Sequence, residues 1–335
     1  MFVFVFQPFP TYAAKTWDAQ GGHLRKTTTL IPIILTGLAA CGGGGSSGGD
    51  TTSPATGGLV IYEAADGSGA GTATEITRID GDTLSITGLP FDGDGTYTWT
   101  TITVDGAREY RSPATATDPV TSEIIDQDAY IALYRASASG DTGVAIVRSA
   151  SDESFGPGGY VLFREGDVVL PTSDQASYSG DYAGIRVYDG LADLSLTVGE
   201  VAASIDFAAF DGDGGVRLVI SAREVFDLSY SNITADKLLD GSSALPDLTL
   251  VLAPGTLGSG GTLSGEMVSY AETGTGALVP YETGALTGLL SGDNAEEMVG
   301  VIVVEGLDPE FAPVDETWEE SPVTYQETGG FIATR

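Results

Sequence analysis

Residues 194–225, LSLTVGEVAASIDFAAFDGDGGVRLVISAREV, decide the fold class. Apolar and polar side chains alternate on both sides of a glycine-rich centre, and this is the period of a half-buried β-strand. The centre contains Asp211-Gly212 and Asp213-Gly214, and Asp-Gly pairs favour hairpin turns because they accept positive φ. The stretch therefore predicts two antiparallel strands. The predicted buried positions are Val201, Ala203, Ile205 and Phe207 on the first strand and Val216, Leu218, Ile220 and Ala222 on the second.

The alternation slips by one residue at two places. Apolar residues share one face over 194–198, but the next apolar set begins at Val201. A β-bulge at Gly199 explains this slip, because a bulge inserts one extra residue into a strand. A second slip lies between Trp99 and Ile102, where no glycine stands.

The same signals recur along the whole chain. It has 335 residues, of which 47 are glycine and only 18% are charged. Asp-Gly pairs separate short runs rich in Val, Ile, Thr and Tyr, and these residues suit a pleated surface. No fixed-period repeat is visible, which excludes solenoids and propellers. The chain is predicted to be all-β.

The strand pattern divides the chain near Pro171 into an N-terminal smaller β-sheet domain, 57–170, and a C-terminal β-barrel domain, 171–335. The first half holds about six predicted strands, including 95–104, 129–135, 144–148 and 159–164. The second half holds eight, at 178–188, 194–207, 216–225, 247–252, 262–270, 284–290, 297–305 and 329–334. Eight antiparallel strands with short turns predict an up-and-down barrel, which leaves no unpaired edge.

A membrane-spanning barrel is the alternative architecture. Its strands would need a lipid-facing apolar band with aromatic girdles, whereas these strands carry charges on the second face. Outer-membrane barrels also usually finish on an aromatic residue, and the last residue given is Arg335. We therefore expect a barrel that does not span the bilayer.

The N-terminal part of the sequence has the form of an export signal. Residues 24–40 start with the basic pair Arg25-Lys26 and continue with an apolar stretch shorter than the roughly twenty residues that span a bilayer. Residues 1–23 match neither a signal nor a domain. We interpret them as an extension from a misplaced start, with the true start at Leu24.

The signal ends in Leu38, Ala39 and Ala40 before Cys41, the only cysteine of the chain. This ending resembles the lipobox of bacterial lipoproteins, in which the cysteine receives diacylglycerol and a further acyl chain such as palmitate. The resemblance implies cleavage before Cys41 and attachment to a bilayer there. Several acyl chains on one residue give stable anchoring, which one chain does not. The alternative is a free thiol after an ordinary signal peptide.

Residues 41–56 are rich in Gly and Ser and predict a flexible tether. Gly42 follows the cysteine where lipoproteins retained in the inner membrane commonly carry Asp. The expected location is therefore the outer membrane, with either a surface-exposed or a periplasm-facing body.

Three glycine-rich motifs in the second half resemble a known family. They are YSGDYAG at 178–184, GDNAEEMVG at 292–300 and GGFIATR at 329–335. Together they resemble the transferrin-binding protein B-like β-barrel domain over residues 173–335, a domain found in surface lipoproteins of Gram-negative bacteria. The resemblance implies a barrel fold and a surface address, with 57–170 in the place of the family's smaller handle domain. It implies no ligand.

Charge and composition exclude several functions. After cleavage the chain would carry 11 basic and 46 acidic residues, and such a field repels nucleic acid and anionic lipid headgroups. The only histidine, His23, precedes the cleavage point and Cys41 is taken by lipid. Histidine- or thiol-dependent catalysis and zinc sites are therefore unavailable, and we predict no catalytic residues, no cofactor and no enzymatic activity.

Two aspartate-rich loops are weak calcium candidates, with Asp92 and Asp94 in one and Asp211 and Asp213 in the other. Neither has the full spacing of a calcium loop with a distal glutamate. Hairpin turns explain them better, and no metal site is predicted. The aromatic residues Tyr97, Trp99 and Tyr110 are interpreted as core rather than as a ligand platform.

The sequence is compatible with three functions. The first is a binding module that contacts a receptor, host or carrier protein. The second is a structural envelope lipoprotein without a specific ligand. The third is a polysaccharide-processing enzyme that acts through carboxylates, although no spacing singles out a pair.

Overall fold

The structure is a computed structural model that describes residues 59–63, 73, 75–90, 92–117, 121–126, 129–150, 154–209, 215–238, 243–272, 277–308 and 323–335. The predicted extension, signal peptide and tether lie outside the described residues, together with Cys41, Asp211 and Asp213. None of the helices in the described ranges has the length and apolar character needed to span a membrane.

In the ranges that the structure describes, ten strands precede the barrel. They are β1 (Leu59–Glu63), β2 (Glu75–Arg78), β3 (Thr83–Thr87), β4 (Thr96–Val104), β5 (Ala107–Arg111), β6 (Thr115–Thr117), β7 (Ile124–Asp126), β8 (Tyr130–Ala136), β9 (Thr142–Ser149) and β10 (Gly158–Arg164). Eight form one antiparallel sheet in the order β1-β10-β9-β8-β5-β4-β3-β2, and β6 pairs with β7. The predicted segments correspond to β4, β8, β9 and β10. The others have three to five residues, which is too short for alternation to reveal them.

The eight strands predicted for the second half form a closed antiparallel barrel. They are β11 (Gln175–Tyr188), β12 (Leu191–Asp206), β13 (Val216–Phe226), β14 (Leu248–Leu250), β15 (Thr262–Glu272), β16 (Leu278–Ser291), β17 (Glu297–Leu307) and β18 (Thr324–Thr334). β18 pairs with both β17 and β11 and so closes the barrel. A short 3₁₀ helix, Thr234–Lys237, follows β13. The predicted barrel is confirmed.

Among the described residues, three apolar cores hold these sheets. The lumen core fills one half of the barrel interior and includes Phe207, Leu218 and Met298. The interface core joins β8, β9 and β10 to the outer wall of the barrel, where Leu133 and Ile146 pack with residues such as Ile185. The sheet core lies on the other face of the first sheet. Burial of apolar surface in all three is the main stabilising term.

Because the first sheet covers part of the barrel wall, some barrel strands are apolar on both faces. On β17, Ile302 lies in the lumen core and Val301 in the interface core. The expectation that the second face of the barrel strands carries charges therefore fails on this side. A strand that is buried on both faces has no reason to alternate.

The slip at Gly199 is a change of buried face and not an extra residue in β12. β12 stays in register with β11 from Leu194 to Asp206, but its buried apolar face changes from the interface core at Leu194 to the lumen core at Val201. The predicted bulge in β12 is therefore wrong, although the pairing of β12 with β13 does shift between Val198 and Glu200, beside Gly199.

The extra residue of this bulge lies on β13. Ala222 has φ of +50° and is exposed, whereas Arg223 is fully buried. The predicted inward position of Ala222 is therefore wrong, since the bulge turns Arg223 into the lumen instead. The second slip is also a bulge, with a register shift between Trp99 and Thr103.

Candidate functional site

The half of the barrel lumen beyond the apolar core is occupied by charged side chains. Arg186 on β11, Arg223 on β13, Glu282 on β16 and Glu327 on β18 form what we call the ion cluster, and all four side chains are 0% exposed. Arg186 stands opposite Glu327 in the β11–β18 ladder. Each of the four residues therefore comes from a different strand of the barrel.

The ion cluster is joined by short contacts. Arg186 Nε donates to Glu327 Oε2 at 2.8 Å and its Nη2 to Glu282 Oε1 at 3.1 Å. Arg223 donates to Glu282 at 2.7 and 2.8 Å and to both oxygens of Glu327 at 3.0 Å. Two positive and two negative charges alternate, so the cluster has no net charge.

Hydroxyl groups complete the bonding of the carboxylates. The Tyr182 phenol donates to Glu327 at 2.7 Å. Tyr325 and Ser269 donate to Glu282 at 2.8 and 2.7 Å. All four carboxylate oxygens thus accept hydrogen bonds, which buried charges need in order to offset the loss of hydration.

The pKa values follow from this geometry. Burial raises the pKa of Glu327, but Arg223 and Arg186 outweigh burial and bring the pKa down to about 2. For Glu282, burial again acts upward and Arg223 is the largest opposing cause, so its pKa is also lowered. The pKa of Arg223 is raised well above its ordinary value, because Glu282 and Glu327 overcome the effect of burial. All these groups stay ionised near neutral pH.

A second buried ion pair, Lys237 with Asp308, joins the 3₁₀ helix to the residue that follows β17. Lys237 Nζ lies 3.1 Å from Asp308 Oδ2, with both side chains at most 3% exposed. The ammonium also lies 4.8 Å from the centre of the Tyr188 ring, within the range of a cation–π contact.

The ion cluster is poorly suited to acid–base catalysis. A general base works best with a pKa near the operating pH, whereas the pKa of Glu327 is far below it. The carboxylates are also fully buried and already occupied by donors. Among the described residues, Glu282 and Glu327 are the two glutamates of the ion cluster. Because both are fully buried, a carbohydrate chain has no access to them.

Polar contacts reinforce the interface core between the first sheet and the barrel. Arg148 donates to Gln326 at 2.6 Å, and Arg164 donates to the carbonyls of Gly260 and Leu290 at 2.8 Å. Glu297 accepts from Ser139 and Thr142 at 2.7 and 2.8 Å. A cavity of about 10 Å³ remains between Leu133, Ala183 and their neighbours. This volume holds at most one water.

The distribution of basic residues is uneven between interior and exterior. All 11 basic residues after Cys41 are described. Five are buried, at Arg148, Arg164, Arg186, Arg223 and Lys237, and three are half-buried, at Arg78, Arg108 and Arg135. Arg111, Arg217 and Arg335 are the exposed ones. Because only three of the eleven basic residues are exposed, negative charge greatly outweighs positive charge on the exterior.

The first aspartate loop forms a turn. Asp94 Oδ1 accepts the backbone N–H of Thr96 at 2.9 Å, and Gly93 and Gly95 have positive φ. Asp92 is 7% exposed and lies 3.4 Å from the Tyr97 phenol, and burial raises its pKa. No group of three metal-ligating side chains occurs in the described part of the chain. The bond to Thr96 and the positive φ values fit the turn interpretation of Asp92 and Asp94, while Asp211 and Asp213 lie outside the described residues.

The aromatic residues of the first sheet are placed as core. Tyr97 and Tyr110 are 0% exposed, and Trp99 packs half-buried against the sheet core. The Arg108 guanidinium lies 4.5 Å from the centre of the Trp99 ring. No ring of this group remains free for a ligand platform.

Sequence reasoning did not find the ion cluster. The signal in the sequence was that each of the four charged residues stands at a position of a barrel strand that faces the lumen. That signal became visible only with the register, because the bulge at Ala222 is what brings Arg223 inward.

No protein family profile and no curated protein matches the chain. Among solved structures it is similar to a point mutant of transferrin-binding protein B from Haemophilus parasuis Hp5, at 12% identity and TM-score 0.37, over 83% of this chain and 45% of that one. The isotype 1 transferrin-binding protein B from serogroup B Neisseria meningitidis gives 13% identity and TM-score 0.37, over 84% and 44%.

A structure of a surface lipoprotein gives 10% identity and TM-score 0.28, over 82% of this chain and 98% of that one. The chain spans less than half the length of the two transferrin-binding proteins. These neighbours are of the kind that the glycine-rich motifs of residues 173–335 resemble.

Proposed function

We propose that this chain is a lipid-anchored protein of the bacterial outer membrane that acts as a non-catalytic binding module and contacts a protein partner through its exterior. The observation that carries the proposal is the filled lumen. One half holds the lumen core and the other holds the ion cluster, whose charges cancel. Small-molecule barrels keep an open cavity for their ligand, whereas this barrel uses its own side chains.

The exterior supplies what a binding module needs. It is covered with acidic residues and carries few exposed bases, so it favours a positively charged protein surface and repels nucleic acid. The first sheet is fixed to the barrel wall by the interface core and by the bonds of Arg148 and Glu297. A rigid body of this kind presents its loops in a fixed arrangement to a receptor, host or carrier protein.

The anchoring part of the proposal rests on the sequence. The lipobox residues Leu38, Ala39 and Ala40 precede Cys41, and the Gly/Ser tether that follows gives the folded body reach from the bilayer. We expect metabolic labelling with palmitate to mark the wild-type chain and to leave Cys41→Ala unlabelled. Palmitate labelling of the Cys41→Ala variant would contradict lipid attachment at Cys41, and the proposal would lose its anchor.

The experiment that tests the function is protease treatment of intact cells, followed by mass spectrometry of the released peptides. Peptides from 57–335 that appear while the outer membrane is intact support a module that reaches outside partners. Cys41→Ala is the matched control, because it lacks the thiol that would carry the lipid and should not be displayed on the cell surface.

Full protection until the outer membrane is breached would overturn the contact with outside partners. The structural envelope role would then be preferred, since it needs only the anchor and the acidic exterior. Turnover of a polysaccharide by the purified chain would instead favour the carboxylate-dependent enzyme.

A further inference from the structure

An apolar patch lies on the outside of the barrel at the end of three neighbouring strands. We call it the rim patch and define it by Tyr270 on β15, Leu278 and Pro280 on β16, and Leu307 on β17. Tyr270, Leu278 and Leu307 are 50%, 70% and 53% exposed. Pro280 is exposed as well.

The strand register makes the rim patch continuous. Tyr270 pairs with Pro280, and Leu278 stands two residues further along the same hairpin. β17 runs beside β16 as far as Gly306, opposite Glu282, so Leu307 is the next residue at this edge. Directly paired residues lie about 5 Å apart on one face of a sheet. Tyr270, Leu278 and Pro280 therefore share one face of the hairpin, and Leu307 ends the neighbouring strand at the same edge.

A bulge contributes to this arrangement. The β15–β16 register shifts between Ser269 and Tyr270. Ser269 points into the lumen, where it donates to Glu282, and Tyr270 is turned outward beside Pro280. The ion cluster and the rim patch thus occupy the two faces of the same strand ends.

The charge around the rim patch has one sign. Glu266, Glu272 and Glu305 are exposed on the same three strands. No Lys or Arg occurs in the sequence between Lys237 and Arg335, and Lys237 is buried against Asp308. An apolar centre with a polar border is the usual composition of a protein interface, and the exposed charges described on these three strands are negative.

We propose that the rim patch docks a positively charged protein surface whose lysines or arginines surround exposed aliphatic or aromatic side chains. This inference rests on the proposed function and names the partner class for it. A second copy of this chain is a poor occupant, because each cleaved copy carries 46 acidic against 11 basic residues and the borders would repel. An anionic lipid surface is excluded by the same sign of charge.

The test uses two labelled synthetic peptides and the chain from residue 41 to 335 carrying Cys41→Ala, which has neither the apolar signal segment nor the lipid acceptor and so needs no detergent. One peptide alternates leucine with lysine, and the other alternates serine with lysine, so the two differ in apolar content and not in charge. Binding is measured by fluorescence anisotropy. We expect the leucine peptide to bind about tenfold more tightly than the serine peptide, which corresponds to about 1.4 kcal/mol.

The variant with Tyr270→Ser, Leu278→Ser and Leu307→Ser should remove this difference and leave the serine peptide unaffected. The matched control is Ile124→Ser, which removes an apolar side chain that is 76% exposed on β7, and it should bind like the parent. Thermal midpoints equal to that of the parent show that the triple variant and the Ile124→Ser control both fold.

Equal binding of the two peptides by the parent chain would overturn the proposal that the rim patch docks a partner. The proposed function would stand, since cell-surface exposure is tested separately. A dimer seen by light scattering that the triple variant dissolves would assign the patch to a second copy. A fall in the thermal midpoint of the triple variant would indicate that the rim patch packs against a segment of the same chain. Either result would overturn the proposal.

Discussion

At positions 186, 223, 282 and 327, charged side chains replace the apolar residues that fill the other half of the lumen. The choice of two arginines suits this place, because a planar guanidinium can bond two carboxylates at once. Arg186 also lies 3.9 Å from the centre of the Tyr325 ring. Buried charges of this type are weak evidence for stability, but the removal of one partner is costly.

Replacing Glu327 with Gln keeps the size of the side chain and removes one negative charge. Arg186 and Arg223 would then share a single carboxylate, and breaking a buried ion pair in this way costs about 3–5 kcal/mol. We expect E327Q to lower the free energy of unfolding in urea by that amount. Glu266→Gln on the exposed wall is the control, with a change below about 0.5 kcal/mol. Similar losses in both variants would contradict the role of the cluster.

The ion cluster also predicts the sign of the acid response. The pKa of Glu327 is about 2 in the folded chain against 4.5 for the free group. A carboxylate with a lowered folded pKa stabilises the fold above its unfolded pKa, and this stabilisation is lost as the pH falls toward the folded value. The free energy of unfolding should decrease between about pH 5 and pH 2 in the wild type. A decrease of the same size in E327Q would show that other carboxylates cause it.

Among the elements, β13 depends on a strained residue for its geometry. Ala222 has φ of +50° at the bulge that turns Arg223 into the lumen. A left-handed conformation costs an L-residue roughly 1–2 kcal/mol, and glycine adopts it without that cost.

Ala222→Gly should therefore stabilise the protein by about 1 kcal/mol in chemical denaturation. The matched control is Ala202→Gly, an exposed alanine on the regular part of the neighbouring β12. That change should destabilise by about 0.5–1 kcal/mol, because glycine weakens a regular strand. Destabilisation by both glycines would indicate that the bulge is not strained.

The closing strand β18 shows why two glycines stand together. A methyl group on Gly329 would overlap the ring of Tyr182 in the lumen, and one on Gly330 would lie 2.7 Å from Val144 of the first sheet. Neighbouring side chains therefore lie too close to both faces of this strand to leave room for a methyl group. The sequence motif at 329–335 marks this close packing rather than a loop.

Gly329→Ala should displace Tyr182 from Glu327 and destabilise the barrel by about 1–3 kcal/mol, the usual cost of overpacking. Gly260→Ala is the control, since a methyl group there would meet nothing within 4 Å. The thermal midpoint of each variant is the measurement. A midpoint of Gly329→Ala equal to that of the control would show that Tyr182 has room to move.

Much of the element pattern could be predicted from the sequence, because Asp-Gly turns and period-two alternation are local signals. The eight barrel strands were accessible in this way, whereas the bulge was predicted on the wrong strand, since its extra residue lies on β13 and not at Gly199. The pairing of the two sheets was not, since the interface core joins positions such as Leu133 and Ile185 that are far apart in the chain. The ion cluster was missed for the same reason, as its members meet only after the barrel closes.

For the whole molecule, the interface core makes the first sheet and the barrel interdependent. Ile185 is fully buried on the outer wall of β11, where it packs in the core shared with β8, β9 and β10. Separation of the two parts would expose this apolar surface to water, which is unfavourable. We therefore expect them to unfold together.

Ile185→Ala should lower the free energy of unfolding by about 2–5 kcal/mol without dividing the transition. The chain has three tryptophans, so Trp17 and Trp318 are first replaced by Phe. The remaining tryptophan fluorescence then reports on Trp99 in the first sheet, and far-UV circular dichroism reports on both sheets. The two signals should give one midpoint in wild type and variant alike. Two separate midpoints in the variant would show that the sheet and the barrel are independent.

The ion cluster has a consequence for how such a chain can diverge. No member of the cluster can be lost alone without leaving a buried charge unmatched, so changes at 186, 223, 282 and 327 must arise together or through a compensating intermediate. Surface loops carry no such restriction. We therefore expect distant descendants of this gene to keep two arginines and two glutamates, in this order along the chain, after their remaining similarity has disappeared. That spaced quartet would then serve as a signature by which common ancestry is recognised.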